Sequence, residues 1–256
     1  MRSLIPLILF LISKFLNLII YSSFLIRGLD IMSISELNIG IIDRNYEIIK
    51  RRMIAQMEDA IKRGHTLINK ELDTGILNFI TRPFINVFYR YWSNKELKEG
   101  TLKQIEITLN SAKLLILNGN TPEYFNKLIE ESFPIYLSGD QTDLQCKKNH
   151  KNYSKLREIN KKAYITKVRG AVEMLKITGN VQNYDDLVRF AFKDRKTAYK
   201  SLSEQLEFTD QCIKIVEGDS SILTVPTAKG LILKVLRKGF EQTKLNLNRD
   251  LDETFK

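Results

Sequence analysis

Few residues of this chain have the types and spacing that chemistry requires. Cys146 and His150 are four residues apart, so on a helix they would share a face, as half of a zinc site does. The other half would have to come from His65 and Cys212, at a spacing that no zinc finger uses. We therefore predict no metal site and interpret the thiols as small apolar side chains.

Catalytic motifs are also absent from the sequence. It has no Gly-rich phosphate loop, no His-Glu-x-x-His pair and no Gly-x-Ser-x-Gly elbow. The acidic pairs Glu130-Glu131, Asp185-Asp186 and Asp250-x-Asp252 fit helix starts and solvated helix ends better than a general acid and base. No nucleophile has a visible base beside it. We predict no catalytic residue and no cofactor, and an enzyme with an unrecognised site is the weakest of three functional alternatives.

The most unusual property of the sequence is the way its charge is distributed. Most of its net charge of +10 lies in residues 147–169, where nine Lys and Arg residues face one acid, Glu158. Leu156, Ile159, Val168 and Val172 give this segment an apolar side at helical spacing. The opposite side supplies the binding residues that we predict for an anionic partner: Lys147, Lys148, Lys151, Lys155, Lys162 and Arg169.

Three kinds of anionic partner suit such a helix. Nucleic acid phosphates attract Lys and Arg through counterion release, and an anionic cytoplasmic leaflet attracts each basic residue by about 1 kcal/mol. An acidic protein surface is the third. Lysine outnumbers arginine seven to two in the segment, which favours non-specific attraction over base readout by bidentate arginine. The alternative is a solvated face without a partner.

The first 31 residues decide where the protein works. Leu4–Ile26 holds sixteen Leu, Ile or Phe residues and one charge, Lys14. The apolar residues favour insertion by about 5 to 10 kcal/mol, and the lysine opposes it by only about 3 kcal/mol. We therefore predict a membrane anchor followed by a cytoplasmic C-terminal domain. Two alternatives are a cleaved signal peptide and a non-native extension of a cytoplasmic protein that begins at Met32.

Residues 32–256 have helical periodicity almost throughout, so we predict one all-α domain. Its architecture would be a helical bundle or a short helical-hairpin repeat. We place helix ends at Gly64 and Gly119 and a helix start at Thr121-Pro122. The predicted helices cover 42–63, 66–92, 95–118, 122 to Pro134 or Ser138, 152–179, 184–192, 195–217 and 227–247. Only Ser221–Val225 suggests an extended segment.

One internal similarity supports the repeat alternative. Residues 114–124 align without gaps on residues 174–184, and both read as apolar helix, Gly-Asn, three residues, then Tyr at the next helix. Two copies are fewer than the three that repeat arrays need, and any helix–Gly–helix corner resembles this pattern. We favour a non-enzymatic binding or scaffold protein on the inner membrane face. The alternative is a soluble nucleic-acid-binding protein that begins at Met32.

Overall fold

The protein is all-helical wherever its structure is described. The computed structural model describes residues 39–72, 95–138, 153–218 and 226–256, and these contain helices and no strand. The prediction of an all-α fold is therefore confirmed for these ranges, and Ser221–Val225 lies outside them. The helices are α1 (Ile39–Leu72), α2 (Lys95–Leu117), α3 (Pro122–Ser138), α4 (Tyr153–Leu175), α5 (Tyr184–Ala191), α6 (Arg195–Gly218) and α7 (Pro226–Thr254).

The predicted N-terminal hydrophobic helix lies outside these ranges and stays a prediction. None of the seven described helices is both long and apolar enough to cross a bilayer.

Most predicted helix boundaries agree with the structure to within a few residues. One difference is at α7, which we expected to end near residue 247 and which continues to Thr254. The extension follows from Leu251, which is buried one turn after Leu247 and keeps the apolar stripe in contact with the core. The charged residues between them conceal this stripe in the sequence.

The predicted break at Gly64 is wrong. Helix α1 runs without interruption through this residue to Leu72, so residues 66–72 belong to the first helix and not to a second one. A glycine inside a helix costs only roughly 0.5–1 kcal/mol relative to alanine, which is too little to end a long helix. The rest of the predicted second helix, 73–92, lies outside the described residues.

Pro134 does not end a helix either. It lies inside α3, which continues to Ser138. A proline in a helix interior costs about 3 kcal/mol or more, because its ring displaces one backbone hydrogen bond. Phe133, Tyr136 and Leu137 around it are all buried, and burial of such side chains contributes roughly 1.5–3 kcal/mol each. Their packing therefore outweighs the cost, while the proline itself is exposed.

The predicted corner between α2 and α3 is confirmed. Gly119 has a φ angle of 83°, a left-handed conformation that glycine adopts without strain. Thr121 is the N-cap, because its hydroxyl accepts a hydrogen bond of 3.2 Å from the backbone N–H of Tyr124. At the second corner of the proposed repeat, Gly179 has no positive φ, and a Cβ atom there would meet the exposed ring of Phe190 at 2.7 Å, so the ring would have to shift. The two glycines therefore differ in conformation.

Helix α4 is the centre of the core. It packs against α1, α2, α3, α5 and α6, while α7 packs against α6, α1 and α5. The apolar stripe predicted on the first helix is buried at Ile42, Ile49, Met53 and Met57. One continuous apolar cluster contains residues of all seven described helices.

A buried amide attaches α1 to the end of α4. Asn45 is fully buried, and its Nδ2 donates to the carbonyl oxygens of Ile177 at 2.8 Å, Leu175 at 3.2 Å and Met174 at 3.3 Å. The last carbonyl groups of a helix have no partner inside it. The first helix therefore caps the C-terminus of the fourth. Arg44 supports the cap by donating from Nε to Asn45 Oδ1 at 3.2 Å.

Candidate functional site

Helix α4 carries the described part of the predicted basic segment, residues 153–169, and it is amphipathic in the orientation that the sequence predicts. Leu156, Ile159, Val168 and Val172 are all buried in the core. Their burial turns the opposite side of the helix to solvent. The structure therefore confirms the apolar side of this segment and fixes which of its cations are exposed.

Three of the six predicted binding residues are described, and all three are exposed. Lys155, Lys162 and Arg169 follow one another at intervals of seven residues, so they form one row on the solvent side of α4. The row spans about 21 Å along the helix axis, at 1.5 Å per residue. We call these three residues the basic surface. Lys147, Lys148 and Lys151 lie outside the described residues.

The contacts of the basic surface leave its charges accessible. Lys162 forms an ion pair of 2.8 Å with Glu158 one turn away, and both side chains are more than 60% exposed, at 61% and 66%. The hydrogen bond from this lysine lowers the pKa of the Glu158 carboxyl. Such an exposed pair is screened by solvent and contributes little, so the lysine can exchange the glutamate for another anion.

Arg169 is oriented by an aromatic ring. Its guanidinium carbon lies 5.0 Å from the ring centroid of Phe125 in α3. A cation–π contact of this kind holds the side chain in place without neutralising its charge. The far end of the basic surface is therefore positioned and still able to bind an anion.

Two other cations of the segment point elsewhere. Lys161 pairs with Glu130 of α3 across the helix interface. Lys167 is only 4% exposed, and its ammonium group donates to the hydroxyl of Tyr136 at 2.9 Å. The sequence contains a signal for this burial, because residue 167 lies three or four residues from buried Tyr164 and Ala171. The charge count of the segment alone therefore overstates the charge at its surface.

A buried polar network fixes the rotation of α4 about its axis. The hydroxyl of Tyr164 lies 3.0 Å from Ser111 Oγ in α2 and 2.8 Å from Ser132 Oγ in α3. Its ring centroid is 4.5 Å from that of Tyr136. Burial raises the pKa of the Tyr164 hydroxyl, so it stays neutral. Hydrogen bonds to two neighbouring helices keep the opposite, basic side of α4 toward solvent.

The residues considered for catalysis and metal binding have structural contacts where they are described. Asp186 closes a capping box at the start of α5, accepting from the backbone N–H of Gln182 at 2.9 Å and of Asn183 at 3.2 Å. Cys212 is buried in the apolar core. Within the described ranges no three His, Cys, Asp or Glu residues are grouped as a metal site would require. Cys146 and His150 lie outside those ranges.

Comparisons with protein-family models, with curated proteins and with solved structures found no match to this chain.

Proposed function

We propose that the protein is a non-enzymatic helical binding protein that holds an anionic membrane surface through its basic surface. The observation that carries this proposal is the row of exposed cations, Lys155, Lys162 and Arg169, on the side of α4 opposite the core. The proposal adds Lys147, Lys148 and Lys151, which precede this row in the sequence. Together they form the cluster of four to eight basic residues that is typical of binding to acidic lipids.

The expected strength of this attraction calls for a second attachment. Six basic residues at about 1 kcal/mol each give roughly 6 kcal/mol, which is a partition factor on the order of 10⁴ and corresponds to reversible binding only. Attraction of this size orients a protein on a membrane but holds it there only briefly. We propose that the apolar segment Leu4–Ile26 supplies the permanent attachment, with the helical domain on the cytoplasmic side.

Chemical composition favours lipid over nucleic acid as the partner. Lysine dominates the segment, and a compact ammonium group attracts phosphate without reading a base edge. A soluble nucleic-acid-binding protein that starts at Met32 is the competing function, and the same experiment separates the two.

The proposal can be tested by chemical acetylation of the lysines of the full chain bound to lipid vesicles. We expect Lys155 and Lys162 to react several-fold more slowly with phosphatidylserine vesicles than with phosphatidylcholine vesicles, as measured by mass spectrometry. The protection should disappear at about 1 M salt, where the Debye length is about 3 Å. Lys196 and Lys200 of α6 are also exposed and serve as the internal control, because they should react equally in both vesicles.

Variants and a competitor complete the experiment. Replacing Lys155, Lys162 and Arg169 by Gln should remove the difference in lysine acetylation between phosphatidylserine and phosphatidylcholine vesicles. Replacing Lys193, Lys196 and Lys200 by Gln should leave this difference unchanged, although both triple variants lose three charges. Stronger protection by short RNA or DNA than by phosphatidylserine at equal salt would overturn the membrane proposal. Release of the full chain by a carbonate wash would overturn the anchor alone.

A further inference from the structure

Exposed apolar side chains gather at one end of the helical bundle. Single exposed apolar residues are common on folded proteins, whereas a group of them at one place marks a contact with another protein or with a membrane. Their positions relative to one another therefore decide whether they form a surface. Six large apolar side chains are exposed in the described part of the chain: Ile39, Leu114, Leu117, Ile135, Phe190 and Leu245.

Two ion pairs fix how α1 and α2 lie side by side. Lys50 of α1 pairs with Glu106 of α2 at 2.9 Å. Asp43, seven residues earlier in α1, pairs with Lys113, seven residues later in α2. The two helices are therefore antiparallel, and the start of α1 lies beside the end of α2.

This alignment brings three of the exposed apolar residues together. Ile39 lies one turn before Asp43, and Leu117 lies one turn after Lys113. Both therefore lie at the same level, one turn beyond the ion pair of these two charged residues. Leu114 is three residues from Leu117, so the two leucines are neighbours on the surface of α2.

Phe190 of α5 lies at the same end of the bundle. A Cβ atom placed on Gly179 would meet the ring of Phe190, so this ring lies directly over the glycine. The carbonyl oxygen of Gly179 accepts a hydrogen bond of 3.2 Å from Nη2 of Arg44, which follows Asp43 near the start of α1. We call these four residues the apolar end: Ile39, Leu114, Leu117 and Phe190, with exposed fractions of 58%, 42%, 37% and 55%.

The chain that precedes α1 limits how far the apolar end can lie from a membrane. Twelve residues separate Ile26, the last residue of the proposed anchor, from Ile39. Even fully extended, this stretch reaches only about 45 Å. Helix α1 has 34 residues and is therefore about 50 Å long. An upright bundle with the start of α1 farthest from the bilayer is thus beyond the reach of the chain.

One cation of the basic surface lies near the apolar end. Arg169 contacts the ring of Phe125, which is in the first turn of α3, directly after the corner that follows Leu117. A guanidinium group binds the phosphates of lipid headgroups, and apolar side chains enter the boundary between headgroups and acyl chains. This pairing of side chains suits the surface of an anionic bilayer.

We propose that the apolar end lies in the headgroup region of the membrane that holds Leu4–Ile26. The inference rests on the proposed membrane anchor and adds a contact that is separate from the basic surface. The four side chains of the apolar end would reach the boundary between headgroups and acyl chains. The contact fixes which end of the bundle faces the bilayer, whereas charge attraction alone leaves the bundle free to tilt.

Quenching of a fluorophore by spin-labelled lipid tests this contact on the full chain. Leu117→Cys, combined with Cys146→Ser, is labelled with NBD and reconstituted into vesicles of phosphatidylcholine and phosphatidylserine. Cys212 is only 2% exposed and should stay unlabelled. The control is Leu245→Cys in the same background, because Leu245 is 62% exposed and lies outside the apolar end. We expect a nitroxide close to the headgroup to quench the label at 117 at least threefold more than the label at 245.

Equal quenching at both positions, or none at 117, would overturn the proposal. A label at 117 with blue-shifted emission but no quenching would show that protein covers this end, and it would overturn the proposal as well.

Two double variants test whether the neighbouring side chains share the contact. Leu114→Gln with Phe190→Gln should reduce quenching of the label at 117 about twofold or more. Ile135→Gln with Leu245→Gln also removes two exposed apolar side chains and should leave quenching unchanged. All four positions are exposed, so both variants should keep the circular dichroism spectrum of the parent protein. Equal quenching in the two folded variants would overturn the proposal.

Acetylation of Lys155 and Lys162 in the same vesicles separates this inference from the proposed function. Protection of these lysines without quenching at 117 would remove the apolar contact and leave the proposed function in place. Quenching at 117 without protection would support the apolar contact and remove the role of the basic surface. Release of the full chain by a carbonate wash would overturn the anchor and this inference together.

Discussion

Replacing Asn45 by alanine should be strongly destabilising, because this buried amide caps the end of α4. The substitution removes two N–H donors that serve the carbonyl oxygens of Met174, Leu175 and Ile177. Each lost hydrogen that leaves a buried acceptor without a partner costs about 1–2 kcal/mol. We therefore expect a loss of about 2–4 kcal/mol in the free energy of unfolding, a large part of the roughly 5–15 kcal/mol that stabilises a domain.

Asn45→Asp keeps the size of the side chain and replaces the donating nitrogen by an oxygen. At neutral pH this oxygen would face three carbonyl oxygens, so we expect a larger loss of stability than for Asn45→Ala. Burial and these oxygens raise the pKa of the new carboxyl above its unfolded value, and we expect them to outweigh Arg44, whose guanidinium group donates to Oδ1 and lowers it. The penalty is therefore present above that unfolded value, near pH 4, and it decreases as the pH falls and the carboxyl becomes a donor.

Equilibrium urea unfolding of the full chain, followed by far-UV circular dichroism, measures both effects. Asn110→Ala is the matched control, because Asn110 is an exposed helical asparagine of α2. It should be neutral or slightly stabilising, since alanine favours helix more than asparagine does. If Asn45→Ala costs no more than this control, the hydrogen bonds to α4 do not cap the helix and the reasoning fails.

Three further predictions concern other features of the fold, and urea unfolding measures each of them. Tyr164→Phe should lower the free energy of unfolding by about 1–2 kcal/mol, because two buried serine hydroxyls lose their common partner; an unchanged value would contradict the network. Gly119→Ala should cost about 1–2 kcal/mol because of its positive φ, while Gly218→Ala, where an added Cβ meets nothing, should cost less. Glu173→Gln should stabilise the protein at pH 7, because burial raises the pKa of this carboxyl more than Lys176 lowers it; the gain should vanish as the pH falls below about 4, where both states are protonated.

Features that depend on neighbours in the sequence could be predicted from it. The corner at Gly119 and Thr121 requires only a residue that tolerates positive φ, followed by a residue whose hydroxyl caps the next helix. Both residue types can be recognised in the sequence. The orientation of α4 follows from apolar residues at intervals of three and four, which identify the side that packs. The exposure of Lys155 and Lys162 follows from the same periodicity.

Features that depend on distant contacts could not be predicted. Pro134 reads as a helix end because the cost of proline is local, whereas the packing that outweighs it involves the core. Asn45 looks like an ordinary polar residue in an apolar stripe, and its partners are about 130 residues away. The burial of Lys167 follows from its spacing to Tyr164 and Ala171, but its hydrogen-bond partner Tyr136 could not be identified from the sequence.

The partners of Asn45 also determine when α1 can complete its packing during synthesis. Ile177 follows Asn45 by 132 residues, and Asp250, the ion-pair partner of Arg52, comes later still. At about 5–20 residues per second, a ribosome needs on the order of 10 s to add the intervening chain. During that time the stripe of Ile42, Ile49 and Met53 has no α4 to cover it. The first of the described helices to leave the ribosome thus completes its packing late, and its apolar side is where a chaperone would hold the nascent chain.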